Sequence, residues 1–395
     1  MLPLIKSMVK KSLRKLGSVV PERSNNVVKK FTKDSAHIFF GYYDITPFSY
    51  DDQLILACRV PLKNYPNNDI MDLGYYRFND NKLKFNKLSE TKAWCWQMGP
   101  RLRWLNKKLN YVAYNTFENN MYNSVIQNSE DLNIIDKYPL PFYDINKDDT
   151  LGLSLNFSSL QRLRPGYGYK NLLNSSENIN TLDDGITLFN LKTRKQKKLF
   201  SVKEIIIIEP DETMDKAEHY FNHISFCPYS NNFIFFHLWT TGKMRYRRLF
   251  LYDMELNQIR LLSSNLVSHY SWKSEHEILI TELDDFKLKY KLYNIKKIDI
   301  KIIAENILIE DGHPSFVNDN KILTDTYPNL IGHQKLRIYD NLKNQIIDQG
   351  SFYSPSNFTG ENKCDLHPRL SRNNRFISID TAMSGKREML ILENS

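Results

Sequence analysis

Four of the nine histidines in this chain occupy the same position in a recurring sequence pattern. His223, His269, His313 and His367 each stand three residues before an apolar or aromatic residue that begins a β-prone run. An imidazole nitrogen binds divalent transition metals, and a neutral imidazole accepts a proton near pH 7. Because the same residue type recurs at one register, we expect the fold to gather these side chains.

The pattern that carries the histidines is a β-prone run, a polar turn and a second run, and it occurs seven times. Its anchor residues are Phe48, Trp104, Ile145, Phe226, Trp272, Phe316 and Leu370. Successive anchors lie 41 to 81 residues apart, which fits a repeat of roughly 40 to 50 residues with loop insertions, as in propeller blades. One copy cannot bury its own apolar face, so the sequence predicts an all-β, seven-bladed β-propeller.

The segments between the repeats predict the remaining strands of each blade. Further strand pairs at 185–200, 248–262 and 335–349 bring the blades to about four strands each. A strand-like run at 389–392 has no repeat after it, and another at 37–43 precedes the first repeat. We therefore predict that residues 37–43 complete the last blade and close a propeller of residues 31–395. Residues 162–170, inside the longest gap, are expected to form a loop over one face.

Residues 1–30 stand apart from the repeats. Within 2–16, apolar residues recur at helical spacing among five cationic side chains, which predicts a short basic amphipathic helix. Such a helix can lie on an anionic membrane surface, dock on the ring or remain a tail. No apolar run approaches the ~20 residues of a membrane span, and no secretory leader pattern is present. The four dispersed cysteines favour reduced, buried thiols. We expect a cytoplasmic protein, with peripheral contact at the inner membrane as an option.

The equivalent positions of the repeats predict a polar basin at one end of the central channel. In a propeller the inner strands begin near the axis, so residues at one register converge. Three residues before the anchors stand Ile45, Arg101, Phe142 and the four histidines, and the hairpin ends add Arg59, Asn115, Asn156, His237, Glu282, Asp325 and Asp380. Asp365 lies two residues before His367, so imidazoles and a carboxylate could together hold a divalent metal.

Four hairpins resemble those of the oligogalacturonate lyases, which are seven-bladed propellers that cleave uronate oligosaccharides with a manganese-type ion. These segments are 222–228 (NHISFCP), 267–272 (VSHYSW), 311–316 (DGHPSF) and 365–369 (DLHPR). The resemblance spans most of residues 37–393 and implies that His223 is the base and that His269 and His367 are metal ligands. A further histidine ligand of the family is replaced by Asp365, and an amide ligand has only Asn362 as a loose counterpart. The chain also resembles propellers associated with bacterial surface-polysaccharide gene clusters.

The predicted chemistry is β-elimination beside a uronate, which needs a base for the proton α to the carboxylate and a cation that neutralises that carboxylate. We assign catalysis to His223, His237 and Arg101. The expected metal ligands are His269, His313, Asp365 and His367, with Mn²⁺ as the expected ion and Fe, Ni or Zn as alternatives. Guanidinium groups pair bidentately with carboxylates, so substrate binding is assigned to Arg59, Arg162, Arg164 and Arg369.

The net charge of +9 suits an acidic oligosaccharide or polysaccharide as the partner. The same charge would suit nucleic acid, but no nucleic-acid-binding motif is present, so none is expected. Two other functions remain open from the sequence. One is a non-catalytic propeller that binds a glycan or an assembly enzyme. The other is a glycosyltransferase or hydrolase of bacterial surface-polysaccharide biosynthesis, for which inward-facing Asp and Glu would matter more than histidine.

Overall fold

The β-prone runs pair into seven antiparallel sheets, which are the blades of a propeller. The structure is a computed structural model that describes residues 14, 17–20, 23–24, 27–33, 35–62, 69–79, 83–172 and 181–394. Six sheets have four strands and one has five. All seven repeated hairpins of the sequence form, so the predicted fold class, a seven-bladed β-propeller with four-stranded blades, is confirmed.

Two short strands precede the first blade, namely β1 (Arg23–Ser24) and β2 (Val27–Phe31). Blade 1 contains β3 (Ala36–Phe39), β4 (Leu54–Pro61), β5 (Met71–Arg77) and β6 (Asn86–Thr91). Blade 2 contains β7 (Arg103–Trp104), β8 (Tyr111–Glu118), β9 (Met121–Asn128) and β10 (Ile134–Tyr138). Blade 3 contains β11 (Asp144–Ile145), β12 (Leu151–Ser154), β13 (Gly185–Asn190) and β14 (Gln196–Ser201).

The later blades repeat this order. Blade 4 contains β15 (Glu218–Phe226), β16 (Phe233–Thr241), β17 (Met244–Asp253) and β18 (Gln258–Ser263). Blade 5 contains β19 (His269–Trp272), β20 (Glu277–Asp284), β21 (Lys287–Asn294) and β22 (Asp299–Ile303). Blade 6 contains β23 (Ser315–Asn318), β24 (Lys321–Asp325), β25 (His333–Asp340) and β26 (Gln345–Tyr353), and β1 extends it as a fifth strand. Blade 7 contains β27 (Arg369–Leu370), β28 (Phe376–Thr381) and β29 (Glu388–Glu393).

The core lies between the blades, and the burial of each strand depends on its distance from the axis. In β16 the run Phe233–Trp239 is buried throughout, because neighbouring blades cover both faces of an inner strand. The outer strand β22 is almost entirely exposed. All four cysteines are buried free thiols, as the sequence predicts.

The last blade is closed by β2, which pairs antiparallel with β29 from Val27↔Leu392 to Phe31↔Met389. The expectation that residues 37–43 close the ring is therefore wrong. Residues 36–39 form β3, the inner strand of blade 1. The sequence VVKKF at 27–31 is also β-prone, and Phe31 is fully buried with its ring 4.4 Å from that of Tyr76. The ring thus takes in part of the segment 1–30 that the sequence assigns to a helix and tail. Closure leaves no exposed strand edge on β29.

Two short helices follow strands of blade 3, α1 (Phe157–Leu163) and α2 (Val202–Ile206). Helix α1 begins at Asn156, whose side-chain oxygen accepts hydrogen bonds from the backbone N–H groups of Ser158 and Ser159. It ends at Arg164, just before Pro165 and Gly166. Because α1 lies in the longest gap between repeats, it sets the position of the loop that follows it.

The predicted helix 2–16 falls mostly outside the described residues. Of this segment and its end, Arg14 and Gly17 are described, and both contact blade 6. The Arg14 guanidinium donates to the carbonyls of Ser354 and Pro355 at 3.4 Å each, and His333 Nε2 donates to the Gly17 carbonyl at 2.9 Å. None of the described helices is long and apolar enough to cross a bilayer.

Candidate functional site

The structure brings the four histidines of the repeated register together at one end of the channel. The ring centroids of His269 and His313 lie 4.3 Å apart, and those of His313 and His367 lie 4.4 Å apart. The Tyr42 ring joins the fourth histidine to this group, because it lies 5.0 Å from His223 and 4.7 Å from His367. We call this group of four imidazoles the histidine cluster.

Local backbone geometry turns two of these side chains toward the axis. His223 has φ = 49° and His367 has φ = 44°, the left-handed region that non-glycine residues seldom occupy. His223 lies at an irregularity of register between β15 and β16. The backbone N–H of His223 donates to the Tyr143 hydroxyl at 2.9 Å, and that of His367 donates to Asp325 at 3.2 Å. These bonds help to hold a strained conformation, which is a common feature of functional sites.

Three of the imidazoles have Nδ1 bound to an acceptor outside the cluster. His313 Nδ1 lies 2.9 Å from Asp325 Oδ1, and His269 Nδ1 lies 3.1 Å from Asp311 Oδ1. His367 Nδ1 donates to the Gly41 carbonyl at 3.0 Å. This arrangement fixes each ring and leaves Nε2 as the nitrogen for a ligand, as outer partners do around metal-binding histidines.

His313, Asp365 and His367 form a group that could hold a divalent metal ion. All three are buried, and one ligand atom from each lies within 4.8 Å of the others. Asp365 Oδ1 and His367 Nε2 have no hydrogen-bond partner in the described part of the chain, while Lys363 Nζ binds the other Asp365 oxygen at 2.8 Å. An unsatisfied buried polar group costs about 1–3 kcal/mol, so a bound cation would relieve an unfavourable arrangement.

His269 is the fourth ligand that the sequence predicts. The closest group of ligand atoms contains His313, Asp365 and His367, and His269 lies beside them. Asp311 fixes Nδ1 of His269, and its Nε2 lies 3.5 Å from the Tyr327 hydroxyl. His269 therefore borders the candidate metal site without belonging to its closest group of ligand atoms.

The environment gives the imidazoles different proton affinities. Burial, reinforced by His269 and Arg164, holds the pKa of His223 well below its usual range. Burial opposes the charged form of His313 as well, but Asp325 outweighs it and raises the pKa of His313. His223 is thus a neutral imidazole at neutral pH and can accept a proton. Neither of its ring nitrogens has a hydrogen-bond partner among the residues that the structure describes.

Several predicted arginines are occupied by carboxylates. Arg101 donates to Asp44 at 2.8 Å and to the Tyr143 carbonyl at 2.7 Å. Arg369, which is fully buried, pairs with Asp380 at 3.1 Å. The remaining two pairs are Arg59 with Asp72 at 2.8 Å and Arg162 with Glu218 at 2.6 Å. Arg101 and Arg369 therefore stabilise the inner wall of the ring. The catalytic role of Arg101 and the substrate-binding role of Arg369 stay predictions, and Nε and Nη2 of Arg369 lack a hydrogen-bond partner among the described residues.

His237 belongs to a separate buried network in blade 4. Its Nδ1 accepts from Arg248 at 3.1 Å, so its Nε2 donates to His219 Nδ1 at 3.0 Å. On the adjacent residue, Phe236, the ring faces the cluster and lies 5.2 Å from His223. Because neighbouring strand residues point to opposite faces, His237 points away from the cluster that it was predicted to join.

Two other arginines lie near the cluster, and the sequence identified only one of them. The Arg164 guanidinium lies 4.8 Å from the centre of the Tyr167 ring, which in turn is 5.6 Å from the ring of His223. Burial and the neighbouring Arg164 lower the pKa of Arg247, and Asp311 partly offsets this. Neither arginine has a carboxylate ion-pair partner in the described ranges. The loop after α1 therefore covers this face, as the sequence predicts, and carries Arg164 to it.

One further sequence pattern could have identified carboxylates that lie close to the histidines. Asp311 precedes His313 by two residues, as Asp365 precedes His367, and each histidine is followed by proline. The repeated Asp-x-His-Pro pattern marks both carboxylates. No comparable pattern marks Tyr42, Tyr327 or Arg247, which reach the site from different blades.

Comparison with known proteins gives matches to solved structures. No protein-family model matches the chain, and no curated protein does. An oligogalacturonate lyase in complex with manganese has a TM-score of 0.67 at 11% identity, covering 95% of this chain and 96% of that one. The oligogalacturonate lyase of Vibrio parahaemolyticus has a TM-score of 0.64 at 10% identity over 94% and 96% of the two chains.

A third match is the β-propeller domain of the Trilobed protease from Pyrococcus furiosus, with a TM-score of 0.50 at 10% identity over 92% and 95% of the two chains. The likeness confirms the resemblance of this chain to the oligogalacturonate lyases at the level of the fold. Nothing in these comparisons supports the predicted link with surface-polysaccharide gene clusters.

Proposed function

We propose that this protein cleaves an acidic oligosaccharide by metal-dependent β-elimination beside a uronate. The observation that carries the proposal is the group of buried ligand atoms on His313, Asp365 and His367, next to the neutral imidazole of His223. The similarity in fold to two oligogalacturonate lyases, one of them in complex with manganese, supports it.

His313, Asp365 and His367 would hold the metal, and His269 Nε2 lies beside them. Imidazole nitrogen and carboxylate oxygen form a borderline ligand set, which suits Mn²⁺ and also Fe, Ni or Zn. When bound, the ion supplies a positive charge that neutralises the uronate carboxylate and stabilises the charge that develops as the α proton leaves. Asp325 keeps His313 oriented, since it fixes Nδ1.

His223 is the proposed base. Its low proton affinity keeps it unprotonated at neutral pH, so a ring nitrogen can take the proton from the carbon α to the carboxylate. The electron pair of that C–H bond then forms a carbon–carbon double bond, and the glycosidic C–O bond on the β carbon breaks. The departing oxygen keeps the electron pair of that bond and takes a proton from solvent water. The Tyr42 ring, 5.0 Å from the imidazole, limits the positions that the His223 ring can adopt.

Arg164 and Arg247 are the proposed donors for substrate carboxylates. Both lack a carboxylate partner within the described residues, and a guanidinium binds a carboxylate through two parallel hydrogen bonds. The side of the mouth at the half-buried Tyr167 would receive the sugar ring between these arginines and the metal. A small acidic oligosaccharide would thereby be oriented with one uronate at the cluster.

The test is turnover of uronate oligosaccharides by protein prepared without a histidine tag and supplied with Mn²⁺. We expect ultraviolet absorbance from the new double bond, because it is conjugated with the carboxylate. His223→Ala should abolish the signal while the matched variant His276→Ala, on an exposed histidine outside the cluster, should retain it. Binding of the same oligosaccharides without any unsaturated product would instead make the protein a non-catalytic glycan-binding propeller.

A further inference from the structure

A cavity of about 480 Å³ lies on the ring axis beyond the histidine cluster. Every blade contributes to its wall, from Thr46 in blade 1 to Arg372 in blade 7, and only an axial position allows this. Several lining residues are the anchors of the sequence repeats. In each repeat the anchor lies three residues after the position that the histidines occupy. The cavity therefore occupies the opposite end of the channel, and we call it the lower cavity.

Tyr43 separates the lower cavity from the histidine cluster. Its ring lines the cavity and lies 5.1 Å from the ring of His313. The Tyr43 hydroxyl donates to the Tyr270 carbonyl at 2.8 Å and accepts from the Tyr270 N–H at 3.1 Å. Because these two hydrogen bonds fix the Tyr43 side chain, it forms a common wall between two distinct sites at the two ends of the channel.

The wall of the lower cavity combines aromatic rings with an unsatisfied donor. Trp104 and Trp272 both line it, and the indole N–H of Trp104 donates to the Pro47 carbonyl at 2.9 Å. The corresponding N–H of Trp272 is buried without an acceptor in the described part of the chain. A buried donor of this kind gains a hydrogen bond when a ligand oxygen enters the cavity.

The cavity also carries an excess of positive charge. Arg103, Lys147 and Arg372 line it, against the carboxylates of Asp44 and Asp144, and Lys147 pairs with Asp148 at 2.9 Å outside the lining. Asp144 is bound by Arg103, and Asp44 is bound by Arg101, which lies behind the wall. Arg372 is exposed, donates to the Asn106 side-chain oxygen at 3.4 Å, and has no carboxylate within ion-pair distance among the described residues. A guanidinium in this situation favours an anionic ligand.

We infer that the lower cavity is a second ligand site, for a small sugar acid with one carboxylate. The indole rings suit the apolar face of a sugar, the Trp272 N–H suits a hydroxyl or ring oxygen, and Arg372 suits the carboxylate. The volume falls within the range of small-molecule pockets, about 300–1,000 Å³. This inference does not depend on the proposed function, because the wall chemistry alone defines the ligand.

The experiment is calorimetric titration of the full-length protein with galacturonate, with galactose and acetate as probes of the two halves of the ligand. Galactose and acetate should each bind at least about tenfold more weakly than galacturonate. Arg372→Ala should weaken galacturonate binding about tenfold, and Trp272→Phe, which keeps an aromatic ring and removes the N–H, about fivefold. Arg375→Ala, a matched control on the same hairpin whose guanidinium is exposed and 3.7 Å from Glu393, should bind as the wild type does.

A variant in the histidine cluster distinguishes galacturonate binding at the cluster from galacturonate binding in the lower cavity. His367→Ala should retain galacturonate binding that Arg372→Ala weakens, which would confirm a site distinct from the mouth. Three outcomes would overturn the inference. They are equal affinity for galactose and galacturonate, wild-type affinity for galacturonate in Arg372→Ala, and galacturonate binding that is lost in His367→Ala but kept in Arg372→Ala. Because Arg372 is exposed, its variant tests the site even if Trp272→Phe unfolds.

Discussion

At the scale of single residues, the function of each histidine depends on which of its nitrogens is already bound. Outer acceptors occupy Nδ1 of His269, His313 and His367, so Nε2 of each is presented to the channel mouth. His223 differs, because its side chain has ring contacts in place of such an acceptor. The same residue type can therefore supply both metal ligands and a base within one cluster.

Removal of the His223 imidazole tests this division of roles. His223→Ala should lower kcat about 10²- to 10⁴-fold, because a general base contributes that much, and should leave the bound metal unchanged. Turnover and metal content measured on one sample separate the two effects. Loss of metal together with activity would place His223 among the ligands and contradict the assignment.

The buried histidine His37, outside the histidine cluster, allows a prediction of how stability depends on pH. Burial first, and then Arg387 and Lys386, lower the pKa of His37 from 6.5 to about 4. The imidazole of the unfolded chain binds a proton below pH 6.5, whereas that of the folded chain stays neutral down to about pH 4. The unfolding free energy is therefore highest above pH 6.5 and decreases as the pH falls toward 4. Relative to His37→Gln, the wild type should lose about 3 kcal/mol of unfolding free energy across that window.

Chemical denaturation of both proteins at several pH values between 4 and 7.5 measures the difference. Glutamine keeps an acceptor for the Arg387 N–H, which donates to His37 Nδ1 at 3.0 Å. Parallel stability curves for the two proteins would show that His37 titrates alike in the folded and unfolded chains.

The sequence predicted which histidines meet at the site better than it predicted which groups pair with the arginines. The register of the repeats is a local property, so four histidines could be placed at one mouth. The partners of the arginines are not local: Arg101 pairs with Asp44 from another blade. For that reason the sequence assigns Arg101 to catalysis and Arg369 to substrate binding, although their guanidinium groups hold carboxylates of the ring.

At the scale of elements, the hairpins could be predicted because turn residues and strand periodicity lie close together in sequence. The closing strand could not, since β2 pairs with β29, more than 350 residues away along the chain. Both 27–31 and 37–43 have β-prone sequences, and only the pairing of the completed ring distinguishes them. Part of the N-terminal segment therefore belongs to the propeller, although its sequence lies outside the repeats.

Truncation of one side chain in β2 tests its role in closure. Phe31→Ala should lower the unfolding free energy by about 3–5 kcal/mol, because it removes a fully buried ring packed on Tyr76. Val28→Ala, on the same strand but 41% exposed, is the matched control and should cost much less. Equal effects of the two substitutions on denaturant midpoints would mean that β2 does not hold the last blade.

The helix predicted at 2–16 gives a separate prediction about membranes. Deletion of residues 1–13 should abolish salt-sensitive co-sedimentation with anionic vesicles, since it removes most of the apolar stripe and three of the five cationic side chains. Arg14 should stay on blade 6, where it contacts the carbonyls of Ser354 and Pro355. Unchanged co-sedimentation of the truncated protein would exclude this segment as the anchor.

At the scale of the whole molecule, ring closure places two different chemistries on one axis. Residues at one register form the histidine cluster, and residues three positions later line the lower cavity. A small shift along each inner strand thus separates a metal-binding mouth from an aromatic, cationic chamber, with Tyr43 between them. This arrangement follows from the repetition of one hairpin around an axis.

The most direct test of the central claim is the metal content of wild-type protein purified without a histidine tag and reconstituted in turn with Mn²⁺, Fe²⁺, Ni²⁺ and Zn²⁺. We predict one bound ion per chain with at least one of these metals. The ion should be lost in His367→Ala and Asp365→Ala and retained in His237→Ala, whose side chain lies in the separate network with His219 and Arg248. Wild-type protein that retains none of the four metals would contradict the account.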